Sequence, residues 1–323
     1  MPPDQSVTGL SNLLRRLSWP ALRRLGIHLG GAEQSIVRGP GIEYTDAREY
    51  TPGDDSRLID WNLTARSDRP FVKDSFPERA LDAWLVLDVS PSMAWGTARC
   101  LKGRLVNEMA VAASELLARS GNRVGVILFG AGQPAIVPPR AGRTHRMRLL
   151  ASLEAAGTTP EAGTTDLTAA LERVERVARR RALVLLVTDF LTAGGWERPL
   201  ARMSLRHEIV AVHVTDPREH AIPNVGVVTF EDPETGRQLT VDTSSRKLRA
   251  RFEEAATAQR AQLEERLRRC RVDVLQISTD EELMPRLVHF LATRRALRSA
   301  RGPRPWDAPA AAIPASTQGA PIR

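Results

Sequence analysis

A chain of 323 residues with 42% hydrophobic content can bury the core of one large or two modest domains, and no apolar run in it reaches the ~18 residues of a membrane span. The first residues also lack the apolar core of a signal peptide, so a cytoplasmic location is expected, and the widely spaced Cys100 and Cys270 define neither a disulfide framework nor a zinc site. The net charge of +8 rests on arginines dispersed among acidic residues, with only Lys73, Lys102 and Lys247 as lysines and 5% aromatics for base stacking, which leaves an Arg-rich nucleic-acid-binding protein as an alternative only.

Residues 1–38 form the first segment. Leu10, Leu13, Leu14, Leu17, Leu22 and Leu25 fall at helical spacing among Arg15, Arg16, Arg23 and Arg24, which predicts a basic amphipathic helical segment interrupted at Pro20. Such a segment docks on its own domain or, as the sharper alternative, makes peripheral contact with an anionic membrane. Residues 39–80 change character, with Gly, Pro and Asp clusters between short β-type runs. Pro52-Gly53 suits the centre of a type II turn, and Arg48, Arg57 and Arg66 are placed to pair with Asp54, Asp55 and Asp60.

The run from residue 81 onward carries the chemistry. Ala83 to Leu87 reads as a buried strand, and Asp88-Val89-Ser90-Pro91-Ser92 follows it directly. A strand that ends in a carboxylate and two hydroxyls aims hard oxygen donors beyond the sheet edge, which suits a small hard cation. Taken alone, the two serines could instead cap a following helix. Lys102 to Ser120 reads as a helix, Val124 to Phe129 as a strand, and Ala135 to Val137 as an edge strand beside Pro138 and Pro139. Helices follow over 146–155 and 167–180, the latter after Gly163-Thr164-Thr165-Asp166. Leu183 to Thr188 then repeats the design of an apolar strand ending in a carboxylate, Asp189. Strand 208–214, hairpin 225–241, helix 244–269, strand 272–277 and helix 281–296 complete the pattern, and the Pro- and Ala-rich residues 299–323 are expected to be disordered. The hairpin is expected at the sheet's edge or against the 39–76 region.

Alternation of this kind predicts an α/β fold with a doubly wound, mostly parallel sheet over residues 81–298, a β-rich N-terminal extension and an extra β-hairpin. In such a sheet the carboxyl ends of neighbouring strands share one rim, so Asp88, Ser90, Ser92, Thr165 and Asp189 can meet there. Their order, Asp-x-Ser-x-Ser then Thr then strand-end Asp, resembles the metal-ion-dependent adhesion site of von Willebrand factor A domains. That resemblance implies Mg²⁺, with Mn²⁺ or Ca²⁺ as alternatives, held with one position open to a partner's carboxylate.

A second resemblance covers residues 9–295. Arg48-Glu49-Tyr50-Thr51-Pro52-Gly53-Asp54-Asp55-Ser56-Arg57 with Asp60-Trp61 and Arg66, placed ahead of the metal pentad, resembles the signature of the bacterial family called domain of unknown function 58. It implies a von Willebrand factor A-like domain and, by the association of such proteins with MoxR-type AAA+ ATPases, a non-enzymatic adaptor in chaperone-like maturation or cofactor insertion, recognising an acidic residue of the ATPase or its client. Many members begin with transmembrane helices, so this chain resembles a shorter, soluble branch.

Enzyme chemistry finds little support. There is no Gly-x-x-x-x-Gly-Lys-Ser/Thr run and no Gly-x-Ser-x-Gly elbow, and Ser90 stands where a dehalogenase-type phosphatase needs its second Asp. A metal-dependent hydrolase on the same rim remains the alternative. Asp166 is its only nearby candidate base, and Asp166 reads more simply as a helix start.

Overall fold

The computed structural model describes residues 47–51, 56, 59–67, 69–73, 81–119, 121–130, 134–157, 163 and 165–301. The expectations for residues 1–38, for the Pro52-Gly53 turn with Asp54, Asp55 and Arg57, and for the tail beyond residue 301 lie outside these. The chain divides into two compact units, one within Gly30–Leu81 and the other running on from Asp82.

The smaller unit pairs β1 (Ala47–Glu49) antiparallel with β2 (Phe71–Lys73), with the one-turn helix α1 (Trp61–Thr64) between them in sequence. Asp60 starts that helix by accepting from the amides of Asn62 (3.0 Å) and Leu63 (3.2 Å). The Asp60 amide donates to Phe71 O (2.8 Å), and Thr64 Oγ1 accepts from Phe71 N (3.0 Å), so helix and strand are tied at two points.

The larger unit is a six-stranded sheet between two layers of helix. Its elements in chain order are β3 (Asp82–Asp88), α2 (Lys102–Arg119), β4 (Arg123–Phe129), β5 (Ala135–Arg140), α3 (Arg143–Gly157), α4 (Leu167–Val177), β6 (Ala182–Thr188), α5 (Glu197–Ser204), β7 (Glu208–Thr215), β8 (Val227–Glu231), β9 (Gln238–Asp242), α6 (Arg246–Arg269), β10 (Asp273–Ser278) and α7 (Leu283–Arg301). The strand order is β10-β7-β6-β3-β4-β5, parallel except for the edge strand β5. Pro138 and Pro139 sit in that edge strand, where a missing amide donor costs no ladder bond to a further neighbour.

Period-two alternation splits the strands between two cores. Ala83, Leu85 and Leu87 of β3 face a cluster built with Leu105, Met109 and Leu149 of α2 and α3 and Leu283 and Leu287 of α7. Trp84 and Val86 face the opposite cluster, built with Leu167, Leu171, Trp196 and Leu200 of α4 and the α5 region. This is the doubly wound, mostly parallel α/β sandwich that the alternation predicts. The strand order reverses between β3 and β6, the position beyond whose carboxyl ends open α/β sheets generally bind ligands.

The hairpin does not take the first of its two expected places, the sheet's edge. β8 and β9 form a separate two-stranded sheet rather than extending an edge of the large one, whose edges are β10 and β5. Its tip instead reaches a loop at the carboxyl rim, as its hydrogen bonds show below.

Candidate metal centre

Three adjacent parallel strands, β3, β6 and β7, each end in an aspartate: Asp88, Asp189 and Asp216. The two that flank the switch point face one another. Asp88 is fixed by two donors, the Ser90 amide to Oδ1 (3.0 Å) and the Thr188 hydroxyl to Oδ2 (2.6 Å). The Ser90 and Ser92 hydroxyls lie 3.0 Å apart, and Ser92 Oγ donates to Asp189 Oδ2 (2.9 Å). Asp88, Ser90, Ser92 and Asp189 therefore form one continuous polar chain, and all four are buried.

The local backbone explains the convergence. Ser90 begins a 3₁₀ turn over Pro91–Ala94, with Pro91 at its first position and Ser90 making no side-chain cap bond. The serine hydroxyls are thus spent on the site rather than on capping. The helix α2 then closes over this turn, and at Gly103 a β-carbon would stand 3.1 Å from Met93 O, so glycine permits the close approach. After β6, Phe190 adopts φ 57°, an uncommon conformation for a bulky side chain. It is held there by the Trp196 ring (5.3 Å) and the His213 ring (5.8 Å), and it turns the chain so that Leu191 N donates to Asp189 Oδ1 (3.0 Å).

Thr165 stands on the neighbouring loop. Its carbonyl accepts from Thr192 Oγ1 (2.7 Å), which ties the 163–166 loop to the turn after Asp189. Its hydroxyl donates to Glu234 Oε1 (2.8 Å) and its amide to Glu234 Oε2 (3.3 Å), so the tip of the β8–β9 hairpin already presents a carboxylate to it. Asp166 accepts from Ala169 N (2.9 Å) as the N-cap of α4, the helix-start role read from the sequence.

Lys102 is the site residue that sequence reasoning missed. Its Nζ donates to Asp189 Oδ2 and to Glu219 Oε1, both at 2.7 Å, and the residue is only 1% exposed. It also lies 5.6 Å from the Trp95 ring centre. Burial opposes its charge, but Asp189 and Glu219 hold it above the usual lysine range. The available signal was compositional: this is one of three lysines in an arginine-rich chain, at the start of an apolar helix directly after the pentad. Asp216 was also unread, and its work is structural. It accepts from Thr97 N (2.7 Å), Thr97 Oγ1 (2.6 Å), Thr279 Oγ1 (2.5 Å) and Arg218 N (2.9 Å). Although burial pushes the other way, those donors hold its carboxyl below the usual range.

Burial first, and then the negative charge of Asp189, push the Asp88 carboxyl up to about 7. Lys102 is shared by two carboxylates, those of Asp189 and Glu219. Among the described residues no group of three or more His, Cys, Asp or Glu side chains gathers to hold a metal; the oxygen donors at this rim are the carboxylates of Asp88 and Asp189 and the hydroxyls of Ser90 and Ser92. Such a hard-oxygen set fits Mg²⁺ in chemistry, with Lys102 already bound to one oxygen of Asp189.

Of the signature residues, Arg48, Tyr50, Asp60, Trp61 and Arg66 are described, in the smaller unit. Tyr50 N donates to Pro70 O (2.8 Å), while Trp61 is 69% exposed.

The family described as "Protein of unknown function DUF58" matches residues 46–262. The uncharacterized protein Rv1480 of Mycobacterium tuberculosis is 36% identical over 288 residues, 88% of this chain and 90% of its own length, and the uncharacterized protein Mb1516 of Mycobacterium bovis matches equally. Among solved structures, an aerotolerance-related membrane protein from Bacteroides fragilis is 15% identical with a TM-score of 0.41, covering 67% of this chain and all of that one. The SpRpn10 VWA domain is 12% identical with a TM-score of 0.37, over 65% and 94% of the two chains. No described helix is long and apolar enough to cross a membrane.

Proposed function

The chain belongs to the DUF58 family, and from that premise we propose that it is a non-enzymatic, Mg²⁺-dependent protein-binding adaptor that docks an acidic residue of a partner at the β3–β6 rim. The observation that carries this is the buried chain of oxygen donors running from Asp88 through Ser90 and Ser92 to Asp189 at the strand-order reversal. Asp88, Ser90, Ser92, Thr165 and Asp189 would hold the ion, which when bound supplies a positive centre with room for an outside carboxylate.

The other residues set up that arrangement. Thr188 and the Ser90 amide orient Asp88. Lys102 donates to Asp189 Oδ2, and its positive charge offsets the repulsion between the two aspartates. Asp166, the candidate general base of a hydrolase, is engaged as a helix cap, which favours binding over water activation. The implied partner is a MoxR-type AAA+ ATPase or its client, with the adaptor acting in the cytoplasm in chaperone-like maturation or cofactor insertion.

Calorimetric titration of Mg²⁺ into wild type and Asp88→Ala, followed by affinity capture from native lysate in Mg²⁺ or chelator, tests this. Mg²⁺ binding and recovery of an AAA+ ATPase by wild type alone, in Mg²⁺ alone, is the expected result. Equal recovery in every condition, or recovery of nucleic acid only, would overturn the metal-bridged adaptor.

A further inference from the structure

The β8–β9 hairpin is an addition to the α/β alternation, inserted between β7 and α6 where a helix alone would return the chain to the sheet. It is attached at two ends. At its base, Thr243 N and Oγ1 donate to Gly226 O (2.8 and 2.6 Å), and Val225 N donates to Thr243 Oγ1 (3.0 Å). At its tip, Glu234 grips Thr165. Between these points the hairpin does not close onto packed core: Phe230, Leu239 and Val241 border an open cavity of ≈ 870 Å³ shared with Trp95, Leu248 and Phe252. Most of its strand residues are exposed.

The turn is built to aim Glu234. Asp232 accepts from Glu234 N (2.9 Å) and Thr235 Oγ1 (2.5 Å), Gly236 N donates back to Asp232 O (2.8 Å), and Gly236 takes φ 67°, which glycine adopts without strain. A carboxylate is thereby delivered, from outside the sheet, to the threonine whose loop borders the aspartate pair. It occupies the hydroxyl of Thr165, one of the residues that the adaptor reading assigns to the ion.

We propose that Glu234 is a built-in stand-in for the partner carboxylate, and that the hairpin is a cap which an acidic partner displaces from Thr165. This rests on the adaptor reading of the site. Capping lowers apparent affinity by the fraction of molecules that are open, so a cap closed about nine-tenths of the time weakens binding about tenfold. It also gives the site selectivity, because only a carboxylate that outcompetes a tethered one gains entry.

The test uses the full chain, Mg²⁺, and a synthetic pentapeptide with one central glutamate as the probe. Glu234→Ala should bind the peptide about tenfold more tightly than wild type in Mg²⁺, with no difference in chelator. Glu234→Gln, which keeps a carbonyl acceptor but not the charge, should fall between. Hydrogen exchange at the amides of residues 234–236 should be faster in Glu234→Ala than in wild type. Equal or weaker Mg²⁺-dependent peptide binding by Glu234→Ala would overturn the cap while leaving the adaptor site standing. Peptide binding that ignores Mg²⁺ in both proteins would overturn the adaptor site and the cap with it.

Discussion

Two parts of the larger unit bring carboxylates to the same rim by opposite means. The central strands β3 and β6 deliver Asp88 and Asp189 from the middle of a parallel sheet, with apolar core on both faces. The hairpin delivers Glu234 from a two-stranded ribbon that borders an open cavity and holds on through its base and one pair of hydrogen bonds. A group on the sheet cannot move without unpacking the domain, whereas a group on the hairpin can leave at the cost of a few polar contacts. The difference teaches which half of the site is scaffold and which half can respond to a partner.

The largest contrast should appear at Lys102. Replacing it by Met strands the buried Asp189 and the largely buried Glu219 without their cation, and chemical denaturation in chelator should show a loss of about 3–5 kcal/mol. Part of that loss should return on adding Mg²⁺, and a variant as stable as wild type would show that Lys102 is not needed to balance the scaffold. Next comes packing. Leu87→Ala, at 0% exposure in β3, should cost about 2–5 kcal/mol. Leu239→Ala, at 66% exposure in the hairpin, should change stability by no more than about 0.5 kcal/mol. Equal losses at the two positions would erase the distinction between scaffold and cap.

A smaller effect is set by pH. Burial, partly offset by Asp189, pushes the His213 imidazole on β7 down from 6.5 to about 4. The unfolded chain then takes up a proton below pH 6.5 that the folded one refuses until about pH 4. This stability is complete above pH 6.5 and is lost as pH falls through that window, by about 3 kcal/mol in all. Asp88, whose carboxyl is raised, acts with the opposite sign, so the His213 contribution is read as the difference in slope between wild type and His213→Gln. Parallel slopes would mean that the imidazole has room to ionise inside the scaffold.

The legible part of this molecule follows the same division. Short apolar runs marked the strands of the large sheet, and strand-end carboxylates marked Asp88 and Asp189, because a buried parallel strand must be apolar along its length and can turn polar only where it leaves the sheet. Lys102 was hidden: a single lysine beside an apolar helix pattern reads as a solvated head group, and only folding shows the two carboxylates that surround it. Glu234 was hidden more completely. Its turn, Asp232 to Gly236, was plain in the sequence, yet nothing in the sequence pointed the turn at Thr165.

The sequence by itself determined the α/β alternation, the strand ends that carry the two aspartates, and the short polar spacings of the pentad and the Asp232–Gly236 turn. All of these are local, dictated by side-chain period and by backbone preferences within a few residues. The tertiary structure alone decided that Thr188 holds Asp88, that Lys102 answers Asp189, and that Glu234 meets Thr165 across 69 residues of chain. Those contacts depend on how helices and hairpin pack over the rim, a three-dimensional fit that leaves no period in the sequence to be read.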